Sequence, residues 1–382
     1  MSDQQQDQQL QEFLEIREPG AHLEAEVAED FVLDIEMDTE RIYKYPRVDD
    51  SAIYRVDPDN LDLRADLKVD PDVDLPDYSG PWKEDLRFTD FSKEALVRFL
   101  AMNQEYTVLC LEYWAREIEG RFGRDVMLEI ERDAWKDGIA PHLDTLRDEY
   151  LPADKPDVLA HWRPRTVEEG DRPDYLGIFA PAPELAERCT KEELVAMVLG
   201  SHEFLLQAIE SWATQVVVRY GMDEMYAIQN SIWSMAILPA VKDLKAKHMG
   251  ISGNTVADWM KDLQLDSTAL PGKAFDLTFE MPEEDVGIMT FNRCVSPAQW
   301  EALGRDDILE AGCHAICPPS IIETTKMYNP NIKTEILAIP PRVDKEDGVC
   351  CKWRFSMRDE SDPEYVPVEL TTKDEREEGA GA

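Results

Sequence analysis

Between residues 92 and 146 apolar side chains recur at helical spacing, and the same pattern returns 98 residues later, from 190 to 244. Seventeen of the 55 aligned positions are identical without a gap, where unrelated segments would share about three. The shared residues include Trp114/Trp212, Gly123/Gly221, Asp125/Asp223, Trp135/Trp233 and Pro141/Pro239. Ser92 and Thr190 precede each run as helix caps, and Thr190 with Glu193 spells a capping box. Gly123 and Gly221 stand where a left-handed C′ residue would close the first helix. Asp125 and Asp223 would cap a second helix. Each unit therefore predicts an antiparallel helix pair, and two units predict a four-helix arrangement with pseudo-two-fold symmetry.

Past residue 250 the period shortens. Ala274 to Glu280 and Val286 to Arg293 alternate as two strands about the turn Pro-Glu-Glu-Asp. Ser296-Pro297 predicts a helix start, and a helix near 320–327 precedes the turn Asn329-Pro330-Asn331. Thr334 to Ile339 and Val349 to Met357 read as two further strands. The fold class expected is α+β: duplicated helix-turn-helix pairs, then a small antiparallel sheet domain with short helices. The boundaries are an extended acidic arm (1–90), repeat 1 (91–150), a Pro-rich connector (151–188), repeat 2 (189–250), a cysteine-rich α+β domain (251–360) and an acidic tail (361–382).

Charge changes the picture. The 382 residues hold 80 Asp and Glu against 40 Lys and Arg, a formal charge of −40. The acid is spread through helices and loops. In molar salt the Debye length falls to about 3 Å, which screens the repulsion such a chain would otherwise suffer. The composition is read as that of a protein adapted to a salt-rich cytoplasm. With no basic stripe to neutralise phosphates, nucleic acid is not an expected partner. No apolar run approaches a membrane span. The N-terminus carries neither the basic nor the apolar region of a secretory leader. Expected partners are a small-molecule ligand and, through the duplication, a second copy in a homo-oligomer.

Two constellations carry candidate chemistry. Glu105, Glu112, Glu203 and Glu210, with His202 beside Glu203, resemble the inward carboxylates of di-iron bundles, but no Glu-x-x-His accompanies them. Seven residues of helix also put about 10 Å between Glu105 and Glu112. The plainer reading pairs these glutamates with Arg121, Arg219 or a Trp N–H. His142, His161 and His248 have no visible partner. The second constellation is sulfur: Cys294, Cys313, Cys317, Cys350 and Cys351 fall within 58 residues. Helical spacing would set Cys313 and Cys317 on one face, and Cys350 and Cys351 would point to opposite sides of their strand. A site could gather Cys294, Cys313, Cys351 or its neighbour Cys350, and His314 or Cys317, and thiolate and imidazole in tetrahedral order suit zinc. Free cysteine also fills cores as a small hydrophobe. Gly-rich phosphate loops, Gly-x-Ser-x-Gly and His-Glu-x-x-His are absent.

The stretches FNRCV (291–295), EAGCHAIC (310–317), MYNPNIKTEILAIPPR (327–342) and GVCCKWRF (348–355) resemble proteins of the aminothiazoline-carboxylate hydrolase-like family. The repeat's Trp-x8-Gly-x-Asp, with a second Trp 12 residues after the Gly, resembles them too. The resemblance spans roughly 190–356 and matches Cys294, Cys313 and Cys351. Cys317, Cys350, the first helix pair and the arm stand outside it. It implies hydrolytic opening of a small sulfur–nitrogen ring, by zinc-bound hydroxide or by a thiolate helped by His314. The rival readings are a small-molecule or metal-binding sensor module and a self-association scaffold.

Overall fold

The computed structural model describes residues 72–155, 158, 175, 181–232, 238–266, 275–294, 309, 313–314, 317–340 and 349–366. Each repeat opens with a 30-residue helix, α1 (Lys93–Phe122) and α4 (Lys191–Tyr220), about 45 Å long at 1.5 Å per residue. Ser92 caps the first and Thr190 with Glu193 makes the expected box on the second. The glycines end these helices at positive φ, but with ψ of 162° and 174° rather than in the left-handed helical region. Only glycine takes that conformation without strain. Gly123 is at once the end of α1 and the cap of α2 (Arg124–Asp133), and α5 (Met222–Ile232) likewise follows Gly221 directly. Asp125 and Asp223 are thus not caps. They lie in the first turn, where a carboxylate still meets the positive end of the helix.

A π-helical stretch (Ala134–Ile139) leads from α2 toward α3 (Leu143–Tyr150), and α6 (Leu238–Met249) is its counterpart in repeat 2. The units do not close as separate pairs. The π-turn and α3 pack on α4, while α6 packs on α1. Equivalent residues meet on the axis between the long helices. The Asn103 amide donates to Ser201 Oγ at 2.8 Å, and farther along the Phe122 and Tyr220 rings stack with centroids 3.9 Å apart. Two self-paired positions at different heights require α1 and α4 to run in the same direction about that axis. Trp114 and Trp212, both 0% exposed, fill the core in each unit. Gly138 lets the π-turn reach α4: a Cβ there would lie 2.2 Å from Ser211 Oγ.

Helix α7 (Val256–Gln264), which the periodicity did not single out, joins the halves; Thr255 and Asp258 box its start. It crosses a four-stranded antiparallel sheet of order β1-β2-β4-β3, built from β1 (Phe275–Glu283), β2 (Val286–Cys294), β3 (Ile332–Ala338) and β4 (Cys351–Met357). Helix α8 (Cys317–Tyr328) precedes β3. Val256, Trp259, Met260 and Leu263 bury against Met289, Trp353 and Phe355. Gly287 lies directly beneath Met260, where a Cβ would come within 2.5 Å of Sδ. A buried network ties α6 to this layer. Lys245 Nζ reaches Asp262 Oδ2 at 2.6 Å and its carbonyl at 2.8 Å, while Tyr328 Oη donates to Asp262 Oδ1. The helix expected at Ser296-Pro297 lies outside the described residues.

Candidate functional site

The sheet has one dry end and one open end. Along β2 and β4 the residues Met289, Trp353 and Phe355 are buried under α7. Toward the end of β2, Phe291 and Cys294 are half-exposed, as are Phe275 on β1 and Cys350 and Cys351 at the start of β4.

A β-bulge organises this end. Leu277 pairs with Phe291 but Asp276 pairs with Arg293, so Asn292 has no place in the ladder. The extra residue shifts the alternation of β2 by one. Cys294 then pairs with Phe275 and shares its face, the face to which Phe291 also belongs. Phe275 and Phe291 meet edge to face at 6.0 Å. The His202 ring from α4 lies 6.2 Å from Phe275, so the second repeat supplies one wall.

On the other side of Phe291 the sulfurs gather. Cys351 pairs with Phe291, and the Cys350 N–H donates to the Phe291 carbonyl at 2.8 Å. Cys350 sits in a bend before the strand. The two thiols therefore do not point to opposite sides, as strand alternation predicted; they are hydrogen-bonded to each other. Cys317, the first residue of α8, lies within electrostatic reach of both. Burial, with Cys350 nearby, pushes the Cys317 thiol up to about 11 although the residue is solvent-accessible. The bond to Cys350, with burial, pushes Cys351 far above the ordinary thiol range. Both thiols are protonated at neutral pH. Half-buried Ile321, Ile339 and Cys351 all pack against the same core cluster.

His314 and Cys313 are half-buried, one helical turn ahead of α8. His314 Nε2 is 3.0 Å from the Pro340 carbonyl. A carbonyl only accepts, so Nε2 donates this bond.

The four glutamates do not converge. Glu105 accepts from Lys247 at 2.9 Å and lies 3.1 Å from His248 Nε2, so His248 does have a partner. Glu203 accepts from Tyr150 Oη. Glu112 is half-buried and Glu210 exposed. Nor do Arg121 and Arg219 serve Glu105 and Glu203: Arg121 binds Glu117 and Glu224, and Arg219 binds Asp133 and Gln215. Among the described residues no group of three His, Cys, Asp or Glu is arranged to hold a metal ion.

No family model matches the chain, and no curated protein matches it. Among solved structures, a chain from work probing the function of heme distortion in the H-NOX family aligns over 69% of this chain and 97% of its own. Its sequence identity is 11% and its TM-score 0.28, too low for any argument about fold or ligand. No described helix is long and apolar enough to cross a membrane.

Proposed function

We propose that the chain is a hydrolase of small heterocyclic or amide-like molecules, working in a salt-rich cytoplasm, with its reaction centre at the thiol cluster of Cys317, Cys350 and Cys351. The observation that carries this reading is the meeting of sulfurs from α8 and β4 beside the half-exposed Phe275–Phe291 pair. Small-molecule sites are usually lined by apolar and aromatic side chains with a few polar groups among them. Cys317 is the accessible thiol and the proposed nucleophile. Its S–H adds across a ring C=N, sulfur to carbon and proton to nitrogen; water then replaces the sulfur, a ring bond opens and the thiol is restored. Because the thiol starts protonated, a base must assist, and Nδ1 of His314 is the proposed acceptor. Cys313 and Cys294 are assigned to lining the site.

The test is ring opening of a panel of aminothiazoline carboxylates in molar potassium chloride, followed as free thiol released. The wild-type chain is expected to turn over at least one member, and Cys317→Ser to lose about 100-fold or more. Full turnover in Cys317→Ser, or none with any member, overturns the reading. The raised thiols favour a second reading, binding without reaction; saturable binding with no product would select it.

A further inference from the structure

The two adjacent sulfurs differ from a nucleophile with a helper. Cys350 and Cys351 hold their thiols in mutual hydrogen-bond contact, because the bend at Cys350 prevents the alternation a straight strand would impose. The Cys350 N–H bond to Phe291 and the pairing of Cys351 with the same residue anchor that turn to β2. Both side chains are half-exposed. Two sulfurs already side by side form an all-sulfur donor pair. Such a pair selects soft, thiophilic centres over hard ions. In a chain of net charge −40, hard cations meet carboxylates over the whole surface, so sulfur is what sets this site apart.

We propose that Cys350 and Cys351 form a dithiol site for trivalent arsenicals and related thiophilic metalloids. Neighbouring thiols in contact suit a pyramidal centre that takes both sulfurs on one side, and not a linear two-coordinate ion. The reaction is a condensation without redox change. An organoarsenic oxide exchanges its oxygen for two As–S bonds, and the two thiol protons leave with that oxygen as water. The site rests on the same cluster as the proposed hydrolase, but neither on turnover nor on Cys317 as nucleophile.

Phenylarsine oxide added to the reduced, full-length chain in high salt tests it. Native mass spectrometry should show one tightly held adduct per chain, released by a dithiol but not by an equal concentration of a monothiol. Trypsin cuts after Lys345 and Lys352, and the peptide between them, Glu346–Lys352, contains only these two cysteines. Both should be protected from iodoacetamide in the adduct and alkylated without it. Cys350→Ser and Cys351→Ser should each weaken retention at least 100-fold. An adduct that persists in both variants, a wild-type chain that takes none, or protection of any other pair of cysteines overturns the proposal. The peptide map reads the wild-type chain, so the test stands even where a variant fails to fold. An intact dithiol adduct in a chain that hydrolyses nothing would sink the proposed function alone.

Discussion

The two repeat units began as the same helix-turn-helix and now do different work with equivalent residues. Positions 147 and 245 align: Arg147 is 36% exposed and pairs with Asp144 and Asp148 on its own helix, whereas Lys245 is 1% exposed and buried against Asp262. Positions 150 and 248 align as well. Both reach across to a glutamate in the other unit's long helix, Tyr150 to Glu203 and His248 to Glu105. Gln104 aligns with His202, and it is His202 that faces the sheet. The lesson is that duplication preserved the cross-braced frame, while docking of α7 and the sheet against repeat 2 gave one copy a buried ion pair and one wall of the site.

The sharpest way to break this comparison is at the first aligned pair. Lys245→Ala should cost about 3–5 kcal/mol, because it strands Asp262 in a dry interior where its carboxyl already sits above the usual range through burial. Arg147→Ala should leave the unfolding midpoint unchanged, since its partners are solvated. Urea melts in molar salt read both. Equal losses would mean that the buried pair is not what distinguishes repeat 2.

A smaller effect comes from backbone approach. Gly138→Ala should cost about 1–3 kcal/mol, as its Cβ meets Ser211 Oγ at 2.2 Å and Ser211 Cβ at 2.6 Å. The aligned residue in repeat 2 is Ala236, so the repeat as such does not demand glycine; the neighbour does. A neutral Gly138→Ala in the same melts would remove that distinction.

The smallest effect separates the two cross-braces by pH. Burial raises the Glu105 carboxyl, but hydrogen bonds from His248 and Lys247 outweigh it, and the net pKa falls below 4.5. A carboxyl depressed on folding contributes stability above its unfolded value and loses it as pH drops through the folded one. Glu105→Gln should therefore cost less than about 1 kcal/mol near neutrality, with the gap to wild type closing below about pH 4.5. Tyr150→Phe removes a neutral hydroxyl donor, not a charge, from the other brace. A pH-independent gap for Glu105→Gln would show that the bonds from Lys247 and His248 contribute nothing that depends on the carboxylate charge.

Much of this was open to reading because it is local. Caps at Ser92 and Thr190, the glycines at 123 and 221, and the alternation of the strands act within a few residues of chain, and the duplication is visible as identity at a fixed shift. Helix α7 was missed although Thr255 and Asp258 do spell a box; its nine residues fall short of the run that makes a helical period plain. Placing Cys350 and Cys351 on opposite sides failed for a related reason: alternation assumes an uninterrupted strand, and the bend at Cys350 ends it.

The amino-acid order by itself determined the doubled helices, the antiparallel hairpin of β1 and β2, and the crowding of cysteine into the last third of the chain, because propensity, capping and spacing are short-range. Only the tertiary structure decided that α1 and α4 run side by side in parallel, that Lys245 is buried while Arg147 is not, and that Cys317 lies by Cys350 and Cys351. Those outcomes depend on which distant surfaces exclude water together and on one unpaired residue, Asn292, that re-aims the end of a strand. Neither is written in the spacing of any single segment.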